Sequence, residues 1–295
     1  MKDLLSNIIR YSIITHNLKK WEYFLNNNQW KAFSEFRTAF KQKILEWNAL
    51  VPDLRDLQKK AAELAKTPEY PFENPIVYNR ALDEVQKAND IKLIVIGDNP
   101  GKNEQLTCNC RYLVGQAGKI AEGWFKKNPE FNIDFRKNVI ILNKTPIHSA
   151  KTSQLNIISR LGGKEISDLI EQSQIWMAEH TAKLHMELYD NSLPELWLVG
   201  YAELKGKGIF TKYKEKLFNT YTKSDSQAMA ANNAWNSVYV FQHFSMNRFT
   251  IDFNDFLKNK ITSQNSTSAD LRKNPAELWN ELHKLGEFHK SEIFS

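Results

Sequence analysis

The chain has 295 residues, 42% of them apolar and 25% charged, so a sizeable core can form and global disorder is excluded. Its apolar runs fall far short of the ~20 residues that span a bilayer. Its two cysteines, Cys108 and Cys110, exclude a multi-disulfide framework and a four-thiolate metal site. The net charge of +6 favours a polyanionic partner and leaves small substrates open. Lys19 and Lys20 follow the short apolar stretch Ile8 to Ile14, which is not the form of a signal peptide, so a reducing cytoplasm is the expected compartment.

Residues 1–70 read as helical. Leu4, Ile8, Ile9 and Tyr11 begin an apolar face, and Trp21, Phe24, Leu25, Trp30, Phe33, Phe36, Phe40 and Ile44 continue it at spacings of three and four. Pro52 follows a helix end, and Leu54 to Leu64 reads as another helix. The first fifty residues carry eight Lys or Arg against four acids. That excess suits the solvated face of a helical layer first and a DNA-facing surface second. Pro71 to Tyr78 is a breaker-rich connector.

Four short runs follow with the apolar, β-branched character of buried parallel strands. They are Ile91 to Ile96, leading into Gly97-Asp98-Asn99-Pro100-Gly101; Val139 to Leu142, ending in Asn143; Leu196 to Val199, ending in Gly200; and Val238 to Phe241, ending in Gln242-His243. Helical stretches at Gln116 to Lys126, Glu165 to Tyr189 and Phe210 to Thr220 separate them. This alternation predicts an α/β fold with a four-stranded parallel sheet. The middle helix is acidic (Glu165, Asp168, Glu171, Glu179, Glu187) and should face away from nucleic acid. Segment 205–223 is the reverse, with six Lys and one Glu. The strands should stop near Leu257, residues 261–274 read as polar and loose, and Pro275 to Leu285 as a short final helix.

Ligands of open α/β sheets bind beyond the carboxyl ends of the strands. Here those ends deliver Asp98 and Asn99, Asn143, and His243 with Ser245 close behind. Taken singly, a strand-end Asn is often a turn cap and a His a structural residue; three polar loops at one rim point to a site. Gly97-Asp-Asn-Pro-Gly101 is neither a dinucleotide fingerprint nor a P-loop. Gly115-Gln-Ala-Gly118 opens a helix and suits either close ligand approach or close helix–sheet packing.

These motifs resemble the uracil-DNA glycosylase superfamily. Gly97-Asp-Asn-Pro-Gly101 is similar to the G-x-N-P-G motif of its mismatch-specific and single-strand-selective branches. Residues 112–119, YLVGQAGK, resemble a stretch of its iron–sulfur branch, and ILNKTP and QHFS follow in the family's order. The resemblance covers residues 88–250. It implies a three-layer α/β/α glycosylase-like domain over 81–260, a helical N-terminal extension over 1–80 packed on it, and a polar linker with a short helix over 261–295. It further implies a monomer that hydrolyses the N-glycosidic bond of uracil or a related deaminated base in DNA, with no metal or organic cofactor and no membrane partner. Asp98 or Asn99 would face the sugar and its water, Asn143 would read the base edge, and His243 would donate to base O2. Gly97, Pro100, Gly101, Gly115 and Ser245 would shape the pocket. Leu113 stands at the family's stacking position, so either Tyr112 just before it takes the stacking role or stacking is weakened; Met246 would wedge the duplex, and Arg248 would meet a phosphate. Phe244 stands where the family has proline, and two cysteines two residues apart cannot hold the iron–sulfur cluster. The alternatives are a non-catalytic nucleic-acid-binding protein of the same fold and a nucleoside or nucleotide hydrolase.

Overall fold

The computed structural model describes residues 24–190, 192–222, 233–264 and 274–295. The expectations at Leu4, Ile8, Ile9, Tyr11 and Trp21, and most of the expected linker, lie outside these residues. Helix α1 is Asn27–Leu50. Asn26 and Gln29 close a reciprocal capping box at its start. The helix therefore begins after Phe24 and Leu25, which the spacing had placed on it; Phe24 instead bridges Asp90 in an isolated β-contact. Its buried face is Phe33, Phe36, Phe40, Ile44 and Trp47. Helix α2 is Leu54–Leu64.

The sheet consists of β1 (Leu93–Gly97), β2 (Val139–Asn143), β3 (Glu195–Val199) and β4 (Val238–Phe241), every residue buried. All pairings are parallel, in the order β2-β1-β3-β4. Continuous apolar runs are what strands covered on both faces require, and the side chains sort by the two-residue period. Ile94, Ile96, Ile140, Leu142, Leu196 and Leu198 pack with α1, α2, α4 (Gln154–Leu188) and α6 (Thr211–Thr222). Val95, Ile141, Trp197, Val199 and Phe241 pack with α3 (Gln116–Lys127), α7 (Arg248–Gln264) and α8 (Pro275–Phe294). The result is three layers, helices on both faces of an all-parallel sheet.

Several bounds differ from expectation. Helix α4 starts eleven residues earlier than Glu165 because Gly163, at φ 64°, joins two helical pieces across a kink. The strands end at Phe241 rather than near Leu257, since Phe249, Phe253 and Leu257 form the buried face of α7. Helix α8 continues past Leu285 to Phe294, because Gly286, His289 and Ile293 extend its buried stripe. The acidic face of α4 and the lysines of α6 meet: Lys216 lies 2.7 Å from Glu179 and Lys212 3.6 Å from Glu171. Among the described residues no helix is long and apolar enough to cross a membrane.

The strand order creates one switch point. From β1 the chain goes to β2 on one side, then returns past β1 to β3 and β4 on the other. The crevice beyond the carboxyl ends of β1 and β3 is where this topology opens a ligand site. Residues 98 and 200 stand there. Between Val199 and α6, the short helix α5 (Tyr201–Leu204) begins directly at Gly200.

Candidate active site

The sheet register sets Gly97 beside Asn143. A Cβ on Gly97 would lie 2.5 Å from Asn143 Oδ1, so only glycine leaves room for that amide. Asn143 is 2% exposed, yet its Nδ2 has no hydrogen-bond partner. An unpaired buried donor costs about 1–3 kcal/mol, and such an atom in a native fold calls for an explanation.

Asp98 turns toward β3. Its Oδ1 accepts a 2.5 Å bond from Lys144 Nζ, and that ammonium also donates to the carbonyls of Val199 at 2.5 Å and Gly97 at 3.4 Å. The Lys144 side chain is fully buried and that of Asp98 10% exposed. Burial lowers the lysine's proton affinity, while the charge and hydrogen bond of Asp98 raise it. Three acceptors around Nζ match the three protons of an ammonium, so we assign a cation. Gly200, at φ 100°, completes the cage: a Cβ there would sit 2.4 Å from Asp98 Oδ1 and 3.1 Å from Lys144 Nζ. Its left-handed backbone and this contact both demand glycine.

The fourth strand supplies His243, half-buried at the same rim. The backbone N–H of Ser245 donates to His243 Nδ1 at 3.1 Å, and Ser245 Oγ lies 2.8 Å from the same nitrogen. An N–H aimed at Nδ1 makes it an acceptor, so the neutral ring carries its proton on Nε2. Burial holds the imidazole below the ordinary histidine range; the Asp98 charge opposes this and the Lys144 charge adds to it. Glu203, on α5, joins the group. Burial and the Asp98 charge raise its pKa, against Lys144 and Arg248. Asp98, Lys144, Glu203 and His243, each from the segment that follows a different strand, thus share one electrostatic neighbourhood.

Below His243, Phe244 is fully buried against Phe135 and Phe249. A buried aromatic anchors the loop where the resembled family has proline. Met246 is 69% exposed with φ 52°, and Arg248 is exposed. The remaining expected residues divide. Asn99 points away from Asp98: its Nδ2 donates to Ser149 Oγ at 2.9 Å and its Oδ1 accepts from Thr152 Oγ1 at 3.1 Å. Both ends of that amide are committed to the 149–152 turn, so holding a water would require exchanging them. The Pro100 carbonyl accepts from His148 Nδ1 at 2.8 Å. Gly101 and Gly115 have open space where a Cβ would stand, and Gly115 caps α3. The stacking expectation needs correction. Tyr112 is fully buried, its hydroxyl donating to the Val77 carbonyl at 2.6 Å and its N–H to Asn79 Oδ1 at 3.2 Å. Leu113 is 3% exposed and packs in the same apolar layer. Both are held inward, so neither offers a face to a base. Gly118 lies so close beneath Leu113 that a Cβ would overlap its carbonyl, which favours helix packing for that glycine.

The chain matches no protein-family model, no curated protein and no solved structure. Two clefts between α1 and α4 contain none of the rim residues. They are lined mainly by apolar groups and paired charges, whereas the rim gathers the reactive groups. Sequence reasoning passed over Lys144, Glu203 and Glu104. A lysine directly after a wholly buried strand was the available signal for Lys144, since such a cation must find an acid. Among the described residues no three His, Cys, Asp or Glu side chains are grouped to hold a metal ion.

Proposed function

We propose that this protein is a DNA glycosylase of the uracil-DNA glycosylase kind, hydrolysing the N-glycosidic bond of uracil or a related deaminated base. The observation that carries this reading is the unpaired Nδ2 of buried Asn143, beside Gly97 and the Asp98 loop. An amide can donate to uracil O4 and accept from N3–H, so a pyrimidine edge would supply the missing partner. As the bond to C1′ breaks, its electron pair leaves with the base. Nε2–H of His243 would stabilise the negative charge growing on O2. The Asp98 carboxylate, with Oδ1 held by Lys144, would turn Oδ2 to the cationic sugar and to the water whose oxygen bonds C1′, and would take the proton that water releases. The switch-point position of Asp98 and the exposed Met246 and Arg248 beside His243 support the same reading.

Single-uracil, hypoxanthine, xanthine and mismatched-thymine oligonucleotides, incubated with protein and then treated with alkali, test it. Wild type should cleave at least one. Asn143→Ala, Asp98→Asn and His243→Ala should each lose 10-fold or more, the order of a lost acid–base or charge-stabilising group. Equal cleavage by all four proteins would overturn the assignment. The Lys144–Asp98 pair favours a second reading, a nucleic-acid-binding protein without excision, because it engages one carboxylate oxygen. Tight binding with no base released selects that reading.

A further inference from the structure

Behind the rim, one buried imidazole faces the loop that carries Asp98. His148 is fully buried. Its Nδ1 lies 2.8 Å from the Pro100 carbonyl oxygen and its Nε2 3.1 Å from the Tyr70 hydroxyl. A carbonyl only accepts, so the proton sits on Nδ1, and Tyr70 donates to Nε2. This is the tautomer opposite to that of His243. Burial holds the imidazole down to about 4, so the ring is neutral near neutrality. Its backbone is anchored as well: the N–H donates to the Pro75 carbonyl at 2.9 Å, and the carbonyl accepts from Gln58 Nε2 at 2.9 Å. The Ser149 N–H shares the Pro100 carbonyl at 3.2 Å, while the Asp98 carbonyl accepts from the N–H groups of Lys144 at 3.1 Å and Thr145 at 3.3 Å. Carbonyls on either side of Asn99 are therefore held, and the Asn99 amide is tied to Ser149 and Thr152 between them.

Resting on the glycosylase reading, we propose that His148 is a positioning residue: its Nδ1–H fixes the Pro100 carbonyl and so holds the Asp98 carboxylate at the angle the reacting sugar requires. Reacting groups tolerate little misplacement, and an error of about 1 Å can cost on the order of a hundredfold in rate. The segment 143–152 suits this task. It carries Asn143 for the base edge, Lys144 for Asp98 Oδ1 and His148 for Pro100. One stretch of chain thereby sets the base-reading amide and the carboxylate in register with each other.

Two substitutions in the full chain separate this role from simple support. The amide N–H2 of His148→Asn stands near the place of Nδ1 and can donate to Pro100; that of His148→Gln stands near Nε2, toward Tyr70. Both remove the ring alike. In free wild-type protein, a long-range proton–nitrogen spectrum should show His148 protonated on Nδ1 alone; a proton on Nε2 instead would overturn the proposal. In hydrogen exchange, the Thr145 and Ser149 amides, which donate to the two held carbonyls, should exchange about tenfold faster in the Gln variant than in the Asn variant, with Val95 of β1 alike in both. Equal rates at Thr145 and Ser149 would overturn it, whatever the excision assay gives. On a single-stranded oligonucleotide with one deoxyuridine, kcat should be about tenfold lower in the Gln variant than in the Asn variant, with KM within about twofold. Similar kcat values would mean a merely structural residue and would also overturn it. The expected exchange difference, with no base released by wild type from any substrate, would remove the excision reading and leave His148 as the grip on the Asp98 loop.

Discussion

A buried ammonium costs several kcal/mol to desolvate, and Lys144 offsets this with one carboxylate and two carbonyls. Removing one partner of such a pair strands the other. Lys144→Met should therefore destabilise the fold by about 3–5 kcal/mol in urea unfolding, and Asp98→Asn combined with Lys144→Met should recover part of that loss. Gly97→Ala probes the neighbouring contact. Its methyl would displace Asn143 Oδ1, so base excision should fall at least tenfold with a smaller change in stability. Asp98, Asn143 and His243 could be singled out from sequence because each stands within two residues of the end of an apolar run. Lys144, Glu203 and Glu104 could not, because their meaning depends on long-range partners. Lys144 meets Asp98 across 46 positions, and Glu104 feels the charge of Arg136 across 32. Tyr112 was misread for a related reason: its partner Val77 lies 35 residues away in a connector that carries no periodicity.

At the scale of elements, continuous apolar runs and period 3.6 were enough to find the sheet and most helices, but not every end. A kink at a glycine, or a stripe that continues past a polar stretch, leaves the pattern ambiguous while burial decides the outcome. Helix α8 is the case in point, since Gly286 lets it approach β4. A Cβ there would stand 2.7 Å from Phe241 Cζ and 2.8 Å from Tyr239 Cβ. Gly286→Ala should cost about 1–3 kcal/mol despite the better helix propensity of alanine, read as a lowered denaturation midpoint. Phe241 immediately precedes the loop that carries His243, so the same variant should also blunt excision.

For the whole molecule, pH acts through buried groups of opposite tendency. Burial lowers His148 and His185 to about 4, while Glu104 rises to about 7. The unfolded histidines protonate near 6.5, but the native ones resist until about 4, so stability is lost as pH falls through that window. Native Glu104 takes up its proton near 7 and unfolded Glu near 4.5, so this group adds stability as pH falls. Two histidines outweigh one glutamate, leaving a net loss on the order of 1 kcal/mol between pH 7 and 5. Denaturant titrations at the two pH values should show the lower midpoint at pH 5, and an unchanged or higher one would contradict the balance.

The lacing of α6 to α4 bears on how this chain would hold a polyanion. Lys212 and Lys216 are already neutralised by Glu171 and Glu179, and Lys205 by Glu292. The formal surplus of positive charge therefore overstates the number of cations ready to displace condensed counterions from a strand. Each phosphate neutralised contributes a slope of roughly −0.7 to a plot of log affinity against log salt for single strands. If Arg248 and one or two further cations of the described residues meet the phosphates, that slope is shallow, about −2 or less in magnitude. Recognition would then rest on the extruded base more than on the backbone, and it would persist at ionic strengths that strip an ordinary basic protein from nucleic acid.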